Sequence, residues 1–247
     1  MSHSIADIKA SYTPEKRHKE VNQNLLGYII YRQISFVLTP LFLKYSISAN
    51  SVTYLTFLFV LFLPFIAWIG GAYGYIYVAI LCFIYHCLDY VDGNLARVTK
   101  TSSRYGTDMD SLFGNLYWVS VYASIGILVD QTKLEPLLFV HGGLLTGLVA
   151  GILDLLAKES RLYFKLYLAA EKTDFSLAGK SPQTIIRVFA AAVPTAGYLI
   201  VPLLLITGYL DKLYLALAFA FILASLMFVY SQIHIIKNLK KSRSKAD

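Results

Sequence analysis

Asp89, Asp92, Gly93, Ala96 and Arg97 stand at spacings that could do chemistry in a chain otherwise poor in charge. At about 100° per residue, all five fall on one helical stripe about 140° wide. Two carboxylates on such a stripe can hold a divalent cation, two small residues let a ligand approach the backbone, and a guanidinium can pair with phosphate. Gly106, Asp110 and Gly114 follow at intervals of four, so a second helix would bring a third carboxylate to the same mouth. Without a cation, three carboxylates there repel one another. These residue types predict a hard-cation site of oxygen ligands that handles a phosphorylated substrate. The plainer alternative is that the aspartates pair with Arg97 and Arg104 at the helix ends.

The elements that must position these residues are set by composition. Of 247 residues, 57% are hydrophobic and 15% charged, against about 25% charged in a soluble domain. Mean hydropathy is +0.57. A disordered chain is excluded and an ordinary soluble globule is disfavoured. Apolar stretches close to the roughly 20-residue bilayer length occur at Val52–Ile69, Tyr75–Leu95, Gly106–Val129, Leu137–Ala157, Gln183–Ile206 and Leu213–Ile236. With those spans, all but Lys133 and Lys212 of the 22 lysines and arginines fall on one side, which predicts both termini in the cytoplasm. The expected fold is all-α, an integral membrane bundle of six transmembrane helices preceded by an amphipathic juxtamembrane helix. Residues 1–23 read as a polar cytoplasmic N-terminus without the apolar core of a cleavable signal. Residues 24–46 read as the interfacial helix, because Arg32, Gln33, Ser35 and Pro40 interrupt them. Residues 47–236 form the transmembrane domain, and 237–247 a basic tail near anionic head groups.

Cys82 and Cys87 point to different sides of one helix and read as buried, inert thiols. Gly143, Gly147 and Gly151 make a stripe of small residues, which suits either internal packing or a dimer seam.

The run Asp89-x2-Asp92-Gly93-x2-Ala96-Arg97-x8-Gly106-x3-Asp110 resembles the signature of the CDP-alcohol phosphotransferases (CDP-alcohol phosphatidyltransferases) at seven positions with matching gaps. Ser48-Ala49-Asn50-Ser51-Val52-Thr53 is similar to that family's Pro-Asn-x-x-Thr lead-in to the first span, with Ala49 in place of proline. The resemblance implies a homodimer of six-helix protomers around a polar cytoplasmic cavity. It implies Mg²⁺ or Mn²⁺ held by Asp89, Asp92 and Asp110. Asn50, Gly93, Ala96, Arg97 and Gly106 would line the cytidine and pyrophosphate. The implied reaction moves a substituted phosphate from a CDP-alcohol, such as CDP-diacylglycerol, to an acceptor alcohol, lipid or small, and releases CMP. It belongs to phospholipid or related biosynthesis, involves no nucleic acid, and fits a bacterial inner membrane better than an organelle membrane.

In the family the signature continues x3-Asp, and that aspartate is credited as the base for the acceptor hydroxyl. Here the position is Gly114, so the catalytic base is unassigned. The acceptor could bring its own ionised group, another residue or metal-bound hydroxide could serve, or the chain could bind cytidine nucleotide or lipid without transfer. An active but atypical enzyme is the reading taken, since loss of a general base costs about 10²–10⁴-fold in rate. His86, one turn before Asp89, reads either as a proton shuttle or as a packing residue. Arg161 and then Lys158 are the candidates for an acceptor phosphate. Positive-inside topology explains both equally well, and Lys158 could pair instead with Asp154.

Overall fold

Ser4 and Thr13 each accept a hydrogen bond from the backbone N–H three residues on, and so open two short helices, α1 (Ile5–Ala10) and α2 (Pro14–Gln23). Asp7 completes a capping box with Ser4, and Pro14 occupies the first helical position of α2. The polar N-terminal segment is therefore folded. Ile8 is fully buried, and α1 packs on α4 (Gln33–Lys44). The computed structural model describes residues 4–131, 142–170 and 213–243.

Between α2 and α4 the chain passes through α3 (Leu25–Gly27) and a π-helical turn (Tyr28–Arg32), so the stretch expected as one interfacial helix is helical almost throughout. Its exposed face carries Leu25, Ile29, Val37 and Leu41, while Arg32, Ser35 and Thr39 are buried. That arrangement is the inverse of a water-facing amphipathic helix. The exposed apolar side chains suit contact with lipid, while the buried side includes Tyr31 and Phe36 beside the polar residues.

Ser48 caps α5 (Ala49–Ile69). After Gly70, Gly71 adopts φ +52°, a backbone conformation open to glycine at little cost, and the chain turns back into α6 (Gly74–Val98). Val52 of α5 and Leu88, Val91 and Leu95 of α6 form a buried cluster, onto which Leu38 and Phe42 of α4 pack. Then follow α7 (Arg104–Gln131), α8 (Gly143–Ala170) and α9 (Leu213–Arg243). No strand occurs among the described residues.

Among the described residues, four helices are long and apolar enough to cross a membrane: Ala49–Ile69, Gly74–Val98, Arg104–Gln131 and Leu213–Leu239. They carry the first, second, third and sixth expected spans, each extended by a few residues. Their outward faces are rich in large apolar side chains such as Leu58, Leu61, Phe62, Phe65 and Trp68, and they support an integral membrane protein. The fourth expected span starts outside the described residues, and α8 carries Asp154, Lys158 and Glu159 past its apolar first half. The fifth, Gln183–Ile206, lies outside the described residues.

The described residues divide into two compact units, one up to Tyr117 and one from Trp118 onward. In the second, the glycine stripe is used within the chain. A Cβ at Gly147 would stand 2.1 Å from the Tyr122 carbonyl oxygen, at Gly151 2.8 Å from Val119 Cα, and at Gly143 2.4 Å from the Gly126 carbonyl oxygen. Only glycine permits so close an approach of α7 and α8. The stripe thus serves internal packing rather than a dimer seam. Cys82 and Cys87 are free and buried, as expected.

Candidate functional site

Site geometry begins with how α5, α6 and α7 start and stop. The Ser48 cap fixes the first turn of α5 and with it Asn50 and Thr53. At the end of α6, Lys100 adopts φ +55°. The Lys100 and Thr101 N–H groups return to the carbonyls of Arg97 and Ala96 at 3.2 and 2.9 Å. This double return satisfies the last carbonyls of the helix and reverses the chain. Four residues later α7 begins, with Gly106 N–H bonded to Ser103 Oγ at 3.0 Å.

These three helix ends enclose a cleft of about 210 Å³. Of the residues expected at the site, Asn50, Asp92, Gly93, Ala96, Arg97, Gly106 and Asp110 all line it. Asp89 does not line it; its carboxyl is hydrogen-bonded to that of Asp110. Asp92 is only 7% exposed and accepts a 2.7 Å hydrogen bond from Thr53 Oγ1. Of the charged groups expected to converge, Asp92, Arg97 and Asp110 line the cleft and Asp89 does not.

Arg97 is held from behind. Asn94 Oδ1 accepts from Arg97 Nη2 at 2.6 Å and from Arg32 Nη1 at 2.9 Å. The Asn94 amide nitrogen donates to Ser35 Oγ and Thr39 Oγ1 at 3.0 and 3.1 Å, so this fully buried side chain is bonded at both ends. The absent side chain of Gly93 makes room for the guanidinium, whose Nη1 lies 3.3 Å from where a Cβ would stand. Arg97 Nε is buried without a hydrogen-bond partner among the described residues.

The chain of bonds continues into the N-terminal helices. Glu20 accepts from Arg32 through both Nε and Nη2, and from Tyr12 Oη at 2.6 Å. The Tyr12 ring lies 4.9 Å from the Arg32 guanidinium and 5.8 Å from that of Arg97. Burial works against the Glu20 charge. The hydrogen bonds from Arg32 and Tyr12, with the positive charge of Arg32, outweigh it and hold the carboxyl below its ordinary value. Burial, and then the bond to Glu20, push the Tyr12 phenol well up.

Other expected residues fall differently. A Cβ at Gly114 would meet nothing closer than Tyr85 Oη at 3.9 Å, an ordinary contact. His86 is 4% exposed and ringed by Tyr31, Tyr85 and Tyr117 at centroid distances of 5.0, 5.3 and 5.0 Å. Those contacts are the surroundings of a packing residue. Lys158 and Arg161 lie in the second unit. Lys158 pairs with Asp154 at 2.6 Å and stands 5.8 Å from the Trp118 ring, while Arg161 Nε donates to the Ala157 carbonyl at 3.0 Å.

Thr53, Asn94, Arg32, Glu20 and Lys16 were not among the expected site residues. Arg32 carried the signal that could have found them, since an arginine in an apolar stretch requires a partner. The identity of that partner, Glu20, depends on how α2 packs.

Whether a cation fits rests on the donors present. They are carboxylates and a threonine hydroxyl, the oxygen set that Mg²⁺ and Mn²⁺ prefer. Asp89 and Asp110 are neighbours, and two ionised carboxylates side by side repel each other unless a proton or cation is present. No group of three or more His, Cys, Asp or Glu close enough to hold one metal ion by themselves is found among the described residues. The two carboxylates that line the cleft, Asp92 and Asp110, suit a cation whose remaining positions are filled by water or substrate oxygens, as Mg²⁺ commonly accepts.

A family model for CDP-alcohol phosphatidyltransferase matches residues 47–230, well over half of the chain. No curated protein matches it. The match covers the helices that bring Asn50, Asp92, Gly93, Ala96, Arg97, Gly106 and Asp110 to one cleft, and the chain belongs to the CDP-alcohol phosphatidyltransferase family.

Proposed function

We propose that the protein transfers a substituted phosphate from a CDP-alcohol, such as CDP-diacylglycerol, to an acceptor alcohol and releases CMP, in phospholipid or related biosynthesis. The observation that carries this reading is the convergence of six of the seven signature residues, together with Asn50, on one cleft where α6 ends and α7 begins. Asp89, Asp92 and Asp110 would hold Mg²⁺ or Mn²⁺, with Thr53 orienting Asp92 through its hydrogen bond. When bound, the cation neutralises charge on the pyrophosphate and on the departing CMP.

Arg97, fixed by Asn94, faces the phosphates with a buried Nε that has an N–H to donate. Asn50 and the backbone at Gly93, Ala96 and Gly106 line the space for the nucleotide. The acceptor oxygen attacks the phosphorus that carries the donor's alcohol. The bond from that phosphorus to the bridging oxygen breaks, and the bridging oxygen leaves with CMP. The hydroxyl proton passes to water or to the leaving phosphate, because Gly114 offers no side chain to take it. The one-sided distribution of lysines and arginines supports both termini in the cytoplasm, and the family resemblance supports a homodimer as the working unit.

A second reading, nucleotide or lipid binding without transfer, draws on Gly114 alone. A paired assay of the wild type, Asp92→Asn and Gly114→Asp with a panel of CDP-diacylglycerol and CDP-amino-alcohol donors decides between the two. Wild-type CMP release that EDTA stops, and that falls by about 10³-fold in Asp92→Asn, is the expected result, the scale of several kcal/mol of lost charge stabilisation. Release appearing only in Gly114→Asp, where a Cβ meets nothing closer than Tyr85 Oη at 3.9 Å, would establish the binding reading instead.

A further inference from the structure

We propose that Lys16, from the N-terminal helix α2, is a ligand-contacting residue of the cleft whose ammonium binds a phosphate oxygen of the bound nucleotide. The inference rests on the reading of the cleft as a CDP-alcohol site. Lys16 lies outside the 47–230 stretch that the family model covers, yet it lines the same cleft as Asp92, Arg97 and Asp110. Its position is built rather than incidental. Thr13 accepts from Lys16 N–H at 3.3 Å to start the helix. One turn on, Glu20 Oε1 stands 4.0 Å from the Lys16 ammonium and is itself gripped by Arg32 and Tyr12, and Arg32 is bonded through Asn94 to Arg97. A continuous path of hydrogen bonds thus ties α2 to the guanidinium of the motif helix.

Charge supplies the second argument. The described side chains that line the cleft include two carboxylates, Asp92 and Asp110, and two cations, Lys16 and Arg97. The carboxylates suit a hard cation, and the two cations suit anionic oxygens. A pyrophosphate esterified at both ends carries two negative charges, which a guanidinium and an ammonium can each meet singly. The planar fork of Arg97 is fixed in place, while the ammonium is a compact point charge on a flexible stem that can follow a phosphate. The N-terminal segment therefore completes a site that the family motif leaves with a single cation among the described lining residues.

The test is calorimetric titration of CDP, with Mg²⁺ present, into detergent-purified full-length wild type, Lys16→Gln and Lys16→Arg, together with the unfolding temperature of each ligand-free protein. Lys16→Gln is expected to weaken CDP binding about tenfold, the scale of one charge-assisted hydrogen bond, while Lys16→Arg stays within about twofold of the wild type. Unfolding temperatures should not change. Wild-type affinity in Lys16→Gln would overturn the assignment, and so would a weakening matched by a fall in unfolding temperature, which marks a structural role. A wild type that binds no CDP would overturn the CDP-alcohol reading itself. Titration with inorganic pyrophosphate then judges Lys16 separately: binding lost in Lys16→Gln keeps it as a phosphate contact, and equal binding or none in either protein removes it.

Discussion

In the first unit, α4 and α6 meet through side chains that bond to one another. Asn94 reaches Ser35 and Thr39, and Arg32 reaches both Asn94 and Glu20. In the second unit, α7 and α8 meet through the absence of side chains, with glycines bringing backbone against backbone. Polar bonds between helices cost desolvation and repay it only when every partner is in place. Close backbone packing needs no such partners and gains dispersion contacts instead. The costlier scheme sits where Arg97 is held at the cleft by Asn94, and the cheaper one where two helices need only stay together. A polar contact also joins α8 and α9, where Gln232 Nε2 donates to Ser160 Oγ at 3.0 Å, but among the described residues the linked network around Asn94 is confined to the first unit.

The sharpest way to break this contrast is Gly147→Ala. Its Cβ would fall 2.1 Å from the Tyr122 carbonyl oxygen, so the helices must part. A loss of about 1–3 kcal/mol, as for overpacked cores, is expected as a lower unfolding temperature in detergent. An unchanged unfolding temperature would mean that the two backbones are not held by contact.

The matching change in the first unit is Thr53→Val, which keeps the shape and removes the hydrogen bond to Asp92. Roughly a tenfold loss of CMP release with little change in unfolding temperature is expected, the lower range for residues that orient metal ligands. If the unfolding temperature fell while turnover held, the polar bonds of this unit would be structural like the glycines of the other.

The smallest effect is a pH dependence. Glu20, held below its ordinary value in the folded protein, contributes stability that is present above the unfolded carboxyl's titration and lost as pH falls through the folded one. Acidification should therefore loosen α2 from Arg32, seen as earlier proteolysis near residues 13–23, and Glu20→Gln should abolish that pH dependence. Proteolysis in that segment independent of pH in the wild type would detach Glu20 from this role.

Much of the site was legible because helix periodicity is local. Asp92, Gly93, Ala96 and Arg97 lie within two turns of one helix, and their shared face follows from 100° per residue whatever surrounds them. Four of the expected spans were legible for the same reason, since length and hydropathy decide them. The fold of residues 4–23 was not, because its stability comes from Ile8 against α4 and Glu20 against Arg32. Those partners are distant in sequence. The glycine stripe of α8 announced a close contact without naming the other helix.

By itself, the order of residues determined which side chains share a helical face, which segments are apolar enough to cross a bilayer, and where charge is concentrated, for these are properties of neighbours along the chain. Tertiary structure alone decided that Asp110 meets Asp89, that Thr53 meets Asp92, and that Lys16 reaches the cleft. Those pairs are separated by long runs of chain, and only the packing of α2, α5 and α7 around α6 brings them within bonding distance.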